Sequence, residues 1–494
     1  MSVAIPVSSA TFGELMELAA ELEQSGQFAE AESLLACAAQ DSTFNETERH
    51  ELDFARERLL RIRQDYRLTR DDLFSDLQKS IRGLTVREFD QWVRSGRFDS
   101  RIIDGTRRFA NPSISNLYFR YPVLNNRRIN PVDSEAEQRA CLATAQLIRA
   151  ASERAGRPMV LPKRIEVTMS ATVKPNSVPP GTIIRAWLPV PRAYPFQTDF
   201  VLLESSPAVL HVADPDSPIR SAYLEQPADD AGSATFRIRY AYTSAGVCFN
   251  LDPRIVPPHW QPPSELEPFL RETRHVVFTD TIRHLASRIV GPEQNPVKRA
   301  RLFYNWISHH IMYSYAPEYS TITNLTEFCL SRGYGDCGMQ ALLFITLCRL
   351  NGIPARWQSG WRLAPGSPNI HDWCEIYLPP WGWIPVDPYM GVYATRYATS
   401  LSPKQRRELR DFHFGGLSQY RMIANSDHCK KLFPPKTSHR SDDVDFQRGE
   451  FEAAGRNLYF DKFSYSLTWK EIPGNASPEI PQLHQTKKPK TSFR

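Results

Sequence analysis

The stretch Gly335-Asp336-Cys337-Gly338-Met339-Gln340-Ala341-Leu342-Leu343-Phe344-Ile345-Thr346-Leu347-Cys348-Arg349-Leu350, followed by Asn351-Gly352-Ile353-Pro354, decides how the chain is read. An aspartate stands in front of its apolar run and Gly then Pro stand behind it, the start and stop signals of a buried helix. Cys337 then falls in the first turn, where unpaired backbone N–H groups and the positive end of the helix dipole favour a thiolate. Asp336 works against that, because a carboxylate beside the sulfur holds the proton on it. A histidine partner is therefore expected.

Three short segments of strand character follow, from Ala355 to Arg362, from His371 to Leu378 and from Gly382 to Val386. Alternation in the second puts His371, Trp373, Glu375 and Tyr377 on one face and Asp372, Cys374, Ile376 and Leu378 on the other. A hairpin of the last two, turning at Pro379-Pro380-Trp381-Gly382, brings Asp387 alongside the start of the second strand, where His371 lies. The predicted arrangement is a nucleophile on a helix tip, a base on a strand and an orienting carboxylate on the next strand. Cys348 and Cys374 in the same stretch read as small core hydrophobes.

These blocks, Gly-Asp-Cys, Asn-Gly-Ile-Pro-Ala-Arg, His-Asp-Trp-Cys-Glu and Gly-Trp-Ile-Pro-Val-Asp-Pro, occur in an order that resembles the transglutaminase-like superfamily of bacterial type, whose cores are papain-like. The likeness covers roughly residues 269 to 398. It implies Cys337 as nucleophile, His371 as base and Asp387 as orienter. Tyr313, by the same resemblance, and Trp373, as an aromatic close to the triad, are expected to line the substrate site. Two departures stand out: Asp372 occupies a position where a small residue is commoner, and the connection from Arg362 to His371 is short. The resemblance implies acyl transfer through a thioester on a peptide or carboxamide substrate. Water is the expected acceptor, as in a protease or amidase; an amine acceptor would make it a transglutaminase, and a non-catalytic scaffold is the alternative of another class.

The composition fits a soluble multidomain protein of 494 residues. Lysine and arginine number 60 against 55 acids, and this small, interspersed excess calls for neither nucleic acid nor an anionic membrane. Eight cysteines without a repeated spacing or a CxxC pair read as thiols of a reducing compartment. Residues 1–10 lack a basic, apolar leader pattern, so a cytoplasmic location is expected. His309 and His310 are adjacent and point apart, so no metal is expected, and nothing calls for a cofactor.

The expected fold is multidomain α+β. A helical N-terminal region spans residues 1–125, and its first two helices, around Gly26-Gln27-Phe28, resemble one tetratricopeptide unit that could receive a protein partner. Thr85-Val86-Arg87-Glu88 reads as a capping box. An antiparallel β-sandwich-like domain spans 160–252, where Ile165, Val167 and Met169 and later Phe236, Ile238 and Tyr240 alternate. A papain-like core with the helix-tip cysteine packed on an antiparallel sheet spans 264–470, including a C-terminal extension. In it, Asn295 caps a helix running from Pro296 to about His310. The aromatic segment from Asn457 to Trp469 is expected to pair onto the core sheet, and residues 471–494 read as a disordered tail.

Overall fold

A computed structural model describes residues 10–256 and 260–473 of the chain. Readings that fall on residues 1–9 and 474–494 lie outside the described residues; residues 471 and 472 close a strand instead of opening a tail.

The N-terminal part is helical because its start signals are real. Thr11, Asn45 and Thr69 each close a capping box over the helices Phe12–Gln24, Glu46–Asp65 and Arg70–Ser80. At Thr85 only half of the predicted box forms: its hydroxyl accepts from the Glu88 N–H, without the reciprocal bond. The helices Phe12–Gln24 and Phe28–Ala38 bury Leu15, Ala19, Phe28, Ala31 and Leu35 against Leu52, Leu59 and Ile62 of the third helix. The apolar stripe of the repeat-like pair is thus covered by its own neighbours.

Two five-stranded antiparallel sheets form the sandwich. One contains Met159–Val173 between Ala234–Cys248 and Phe463–Ile472, and the other contains Ile183–Pro189 between Ser221–Pro227 and Glu450–Ala453. Ile165, Val167, Met169, Phe236, Ile238 and Tyr240 meet Ile184, Ala186, Leu188 and Leu224 between them, as alternation predicts. The segment Phe463–Ile472 pairs with Met159–Val173 from Phe463↔Val173 to Ile472↔Arg164, which corrects the expected pairing onto the core sheet. An alternating strand with one apolar face fits any half-buried sheet, and here Phe463 and Leu467 complete the sandwich interior. A long helix, Glu135–Ala155, was also absent from the sequence reading: its buried side mixes the small Cys141, Ala145 and Ala151 and the polar Gln138 with only two large apolar residues, Leu142 and Ile148.

The core sheet runs Gly382–Val386, Asn369–Leu378, Ala355–Arg362, Arg421–Asn425, all antiparallel. The helix Cys337–Leu350 packs on it and is buried on every side from Gly338 to Arg349, as its unbroken apolar run requires. Leu342, Leu343 and Phe344 share a core with Cys374, Ile376 and Leu378. Trp373 faces the opposite way, among Tyr194, Phe196, Val247 and Ile423. Gly360 is needed where the last two strands meet: a Cβ there would lie 1.8 Å from the Met422 carbonyl oxygen.

Candidate active site

Asp336 caps the helix Cys337–Leu350 by accepting from the Met339 N–H at 3.1 Å, and the same oxygen accepts from the Tyr319 hydroxyl at 2.6 Å. Cys337 follows as the first helical residue and is half-buried. Its thiol donates to Asp372 Oδ2 at 3.4 Å, and the Asp372 backbone N–H also faces the sulfur. The other Asp372 oxygen accepts from Gln447 Nε2 at 2.6 Å, and that amide also donates to the His371 carbonyl at 3.1 Å. Gly338 makes this packing feasible, since a Cβ there would stand 2.2 Å from the Tyr319 hydroxyl and 2.9 Å from Asp372 Oδ2.

His371 begins the buried part of the next strand face. Its Nε2 lies 2.8 Å from Asp387 Oδ2, both groups being shielded from solvent. Asp387 ends the adjacent strand and caps the helix Pro388–Arg396 through the Met390 N–H at 3.0 Å. Its Oδ2 also accepts from Arg421 Nη2 at 2.7 Å, and the Arg421 guanidinium lies 5.0 Å over the Trp373 ring. The Tyr389 ring stands 5.2 Å from His371, and its hydroxyl lies in the fields of both Cys337 and Asp387. With Nε2 engaged by Asp387, Nδ1 is the nitrogen left to move a proton. No hydrogen bond joins His371 to Cys337 among the described residues, where the thiol's partner is Asp372.

The electrostatics divide accordingly. Burial would raise the Asp387 carboxyl, but the His371 and Arg421 charges outweigh it and hold it well below the usual carboxylate range. Burial pushes the His371 imidazole down to about 4, with Asp387 opposing. Around the thiol every influence but one points the other way. Burial, then Asp372, then Asp336, hold the Cys337 proton well above the ordinary thiol range, against the Asp372 N–H. This overrides the thiolate expected from helix position alone. Asp372 itself is raised well above normal by burial and by Asp336, and burial carries Asp336 up to about 6.

Of the expected lining residues, Tyr313 lies in the neighbourhood of the thiol, its ring packed 5.1 Å from Tyr389 and 4.7 Å from Phe119. Trp373 does not line the site: it is fully buried between sheet and sandwich, so the expectation that it meets substrate is corrected. Its ring stacks 5.5 Å from that of His371, beneath the imidazole and among sandwich side chains. Arg421 and Gln447 were not found from sequence, since no motif surrounds either. The N-terminal helices also reach the site's edge: Asn116 exchanges two hydrogen bonds with the Tyr315 backbone, and Asp65 accepts from the Glu318 N–H at 2.9 Å. No cluster of three or more metal-ligating side chains occurs among the described residues. No helix there is long and apolar enough to cross a membrane.

Residues 283–388 match the transglutaminase-like superfamily. Two relatives without a described function share part of this region. An uncharacterized protein of Haemophilus influenzae is 28% identical over 150 residues, which make up 25% of this chain and 40% of that one. The uncharacterized protein YebA of Bacillus subtilis is 24% identical over 144 residues, 25% of this chain and 19% of that one. The chain thus spans less than half the length of either relative. Among solved structures, a candidate cysteine protease from Cytophaga hutchinsonii aligns with 18% identity and a TM-score of 0.42, covering 65% of this chain and 94% of that one. The periplasmic domain of TgpA from Pseudomonas aeruginosa aligns with 17% identity and a TM-score of 0.26, covering 49% and 97%.

Proposed function

We propose that this chain, whose residues 283–388 belong to the transglutaminase-like superfamily, is a cysteine-dependent acyl-transfer enzyme in which Cys337 attacks a peptide or carboxamide carbonyl. The observation that carries the reading is the buried His371–Asp387 pair at 2.8 Å, on the strand that also meets the helix-tip thiol. In this reading neutral His371 takes the thiol proton as sulfur bonds to the carbonyl carbon, then gives it to the departing nitrogen, leaving a thioester. Asp387 holds the ring and stabilises the imidazolium formed in passing, as the buried carboxylate of a triad does. The Cys337 backbone N–H, free at the helix start, is placed to meet the developing oxyanion.

Water is the acceptor in this proposal, giving a peptidase or amidase, because it captures a thioester by default unless the site excludes it. The test is partitioning. The protein is incubated with a pool of amide-bearing peptides, with and without a labelled primary amine, and both products are followed by mass spectrometry. Hydrolysed product in excess at millimolar amine supports the hydrolase. A ratio of amine-linked to hydrolysed product well above one transfers the reading to transglutamination, and no product of either kind overturns acyl transfer.

A further inference from the structure

The residue after the site histidine is an acid, and the fold spends several contacts on holding it against the nucleophile. Asp372 is only 3% exposed, its Oδ2 accepts from the Cys337 thiol at 3.4 Å and its Oδ1 is fixed by Gln447 at 2.6 Å. The missing side chain of Gly338 leaves the space its carboxyl occupies. A carboxyl oxygen in contact with sulfur, with one proton between them, is a coupled pair that titrates as a unit.

We propose that Asp372 is a protonation restraint on the nucleophile: its carboxyl and the Cys337 thiol form one buried proton-holding pair, so that the site reaches its reactive thiolate at a higher pH than a helix-tip cysteine without this neighbour. The inference rests on Cys337 being the nucleophile. The surroundings reinforce the pair. Asp336 faces it from the helix cap, Tyr319 stands between Asp336 and Asp372, and Asp442 and Asp445 approach from the C-terminal extension. The cation opposite these acids, Arg448, is engaged by Glu318 through both terminal nitrogens at 2.9 and 2.8 Å and by Asp442 at 3.4 Å. Arg421 is committed to Asp387, and the neutral His371 gives its Nε2 to the same carboxylate. Burial and the Asp336 charge both raise the Asp372 carboxyl, so the pair as a whole binds its shared proton more tightly. The consequence is a thiol kept uncharged at rest, and so shielded from oxidants and stray electrophiles, until a bound acyl group makes its proton transfer to His371 productive.

The test reads the sulfur directly, without turnover. Alkylation of Cys337 by iodoacetamide is followed by peptide mass spectrometry from pH 5 to 10 in the wild type, Asp372→Asn and Asp372→Ala, with thermal unfolding as a check on folding. The wild-type rate is expected to reach half its plateau above about pH 8.5, the ordinary thiol value. Both variants are expected to reach it at least one pH unit lower, so that alkylation at pH 7 rises about tenfold or more. Cys348, buried in the same helix, should stay unlabelled in all three. An unchanged or higher midpoint in the folded variants, or slower alkylation, overturns the proposal; slower alkylation would make Asp372 the group that accepts the thiol proton. Should Cys337→Ala retain turnover, the nucleophile reading fails by itself, while the alkylation midpoints still report on the pair.

Discussion

The strand Asn369–Leu378 carries two ionic environments on successive residues, and they are opposite in kind. On one face His371 meets Asp387, and Arg421 closes the set, so that each buried charge has a partner of the other sign. On the other face Asp372 meets a thiol, with further acids behind it and Arg448 shared between Glu318 and Asp442. The first environment holds its carboxyl well below the usual carboxylate range and the second pushes its carboxyl well above it, although both are buried. Burial alone thus decides neither outcome. The compensating cation does, because the desolvation cost of a charge is offset only by an opposite charge or by donors directed at it.

The most severe way to break this arrangement is Cys337→Ala, which is expected to lower turnover by about 10⁴-fold or more with the fold intact, since it removes one half-buried atom. Steady-state rates on an amide substrate, with circular dichroism as the folding check, measure it. Asp387→Asn is expected to slow turnover on the order of 10³-fold, because the imidazole loses its charge partner and its fixed orientation. A wild-type rate in that variant would move the orienting role elsewhere. Arg421→Met follows, with an expected loss of about 3 kcal/mol in denaturant unfolding and a slowing on the order of tenfold, as Asp387 is left buried with His371 as its remaining side-chain partner.

The sharpest comparison applies the same isosteric change to both faces. Asp387 lies below its unfolded pKa, so its stabilisation is present at neutral pH and is lost as pH falls through the folded value. Asp372 lies above its unfolded pKa, so its stabilisation is present in acid and is lost as pH rises through the folded value. At pH 8, therefore, Asp387→Asn should destabilise and Asp372→Asn should stabilise, the latter by about 1 kcal/mol, with urea midpoints at pH 5 and 8 as the measurement. Destabilisation by both at pH 8 would mean that the acidic face is compensated after all.

Much of the candidate site's framework was legible in the chain. The run from Gly335 to Leu350 announces its own cap and burial, and the parity of the strand from His371 assigns Trp373 and Cys374 to opposite faces, as found. Parity alone did not show that Trp373 is enclosed, because it shares a face with His371 and only the packing of the sandwich over that face buries it. Arg421 and Gln447 were not legible, since they bond to Asp387 and Asp372 across 34 and 75 residues and carry no periodic signature of their own. The destination of Phe463–Ile472 was hidden for a related reason: alternation states that a strand needs an apolar neighbour, not which sheet has a free edge.

What the sequence by itself determined is local in origin. A cap, a helical run, a two-residue alternation and the order of cysteine, histidine and aspartate follow from backbone periods and near-neighbour sterics, which act over a few residues. What only the tertiary structure decided is which charge stands beside which. The thiol faces Asp372, Arg421 faces Asp387 and the N-terminal helices hold the Tyr315–Glu318 backbone because distant segments pack there. The protonation state of a buried group is fixed by those neighbours, since at contact distance in a poorly solvated interior one charge outweighs the group's intrinsic preference.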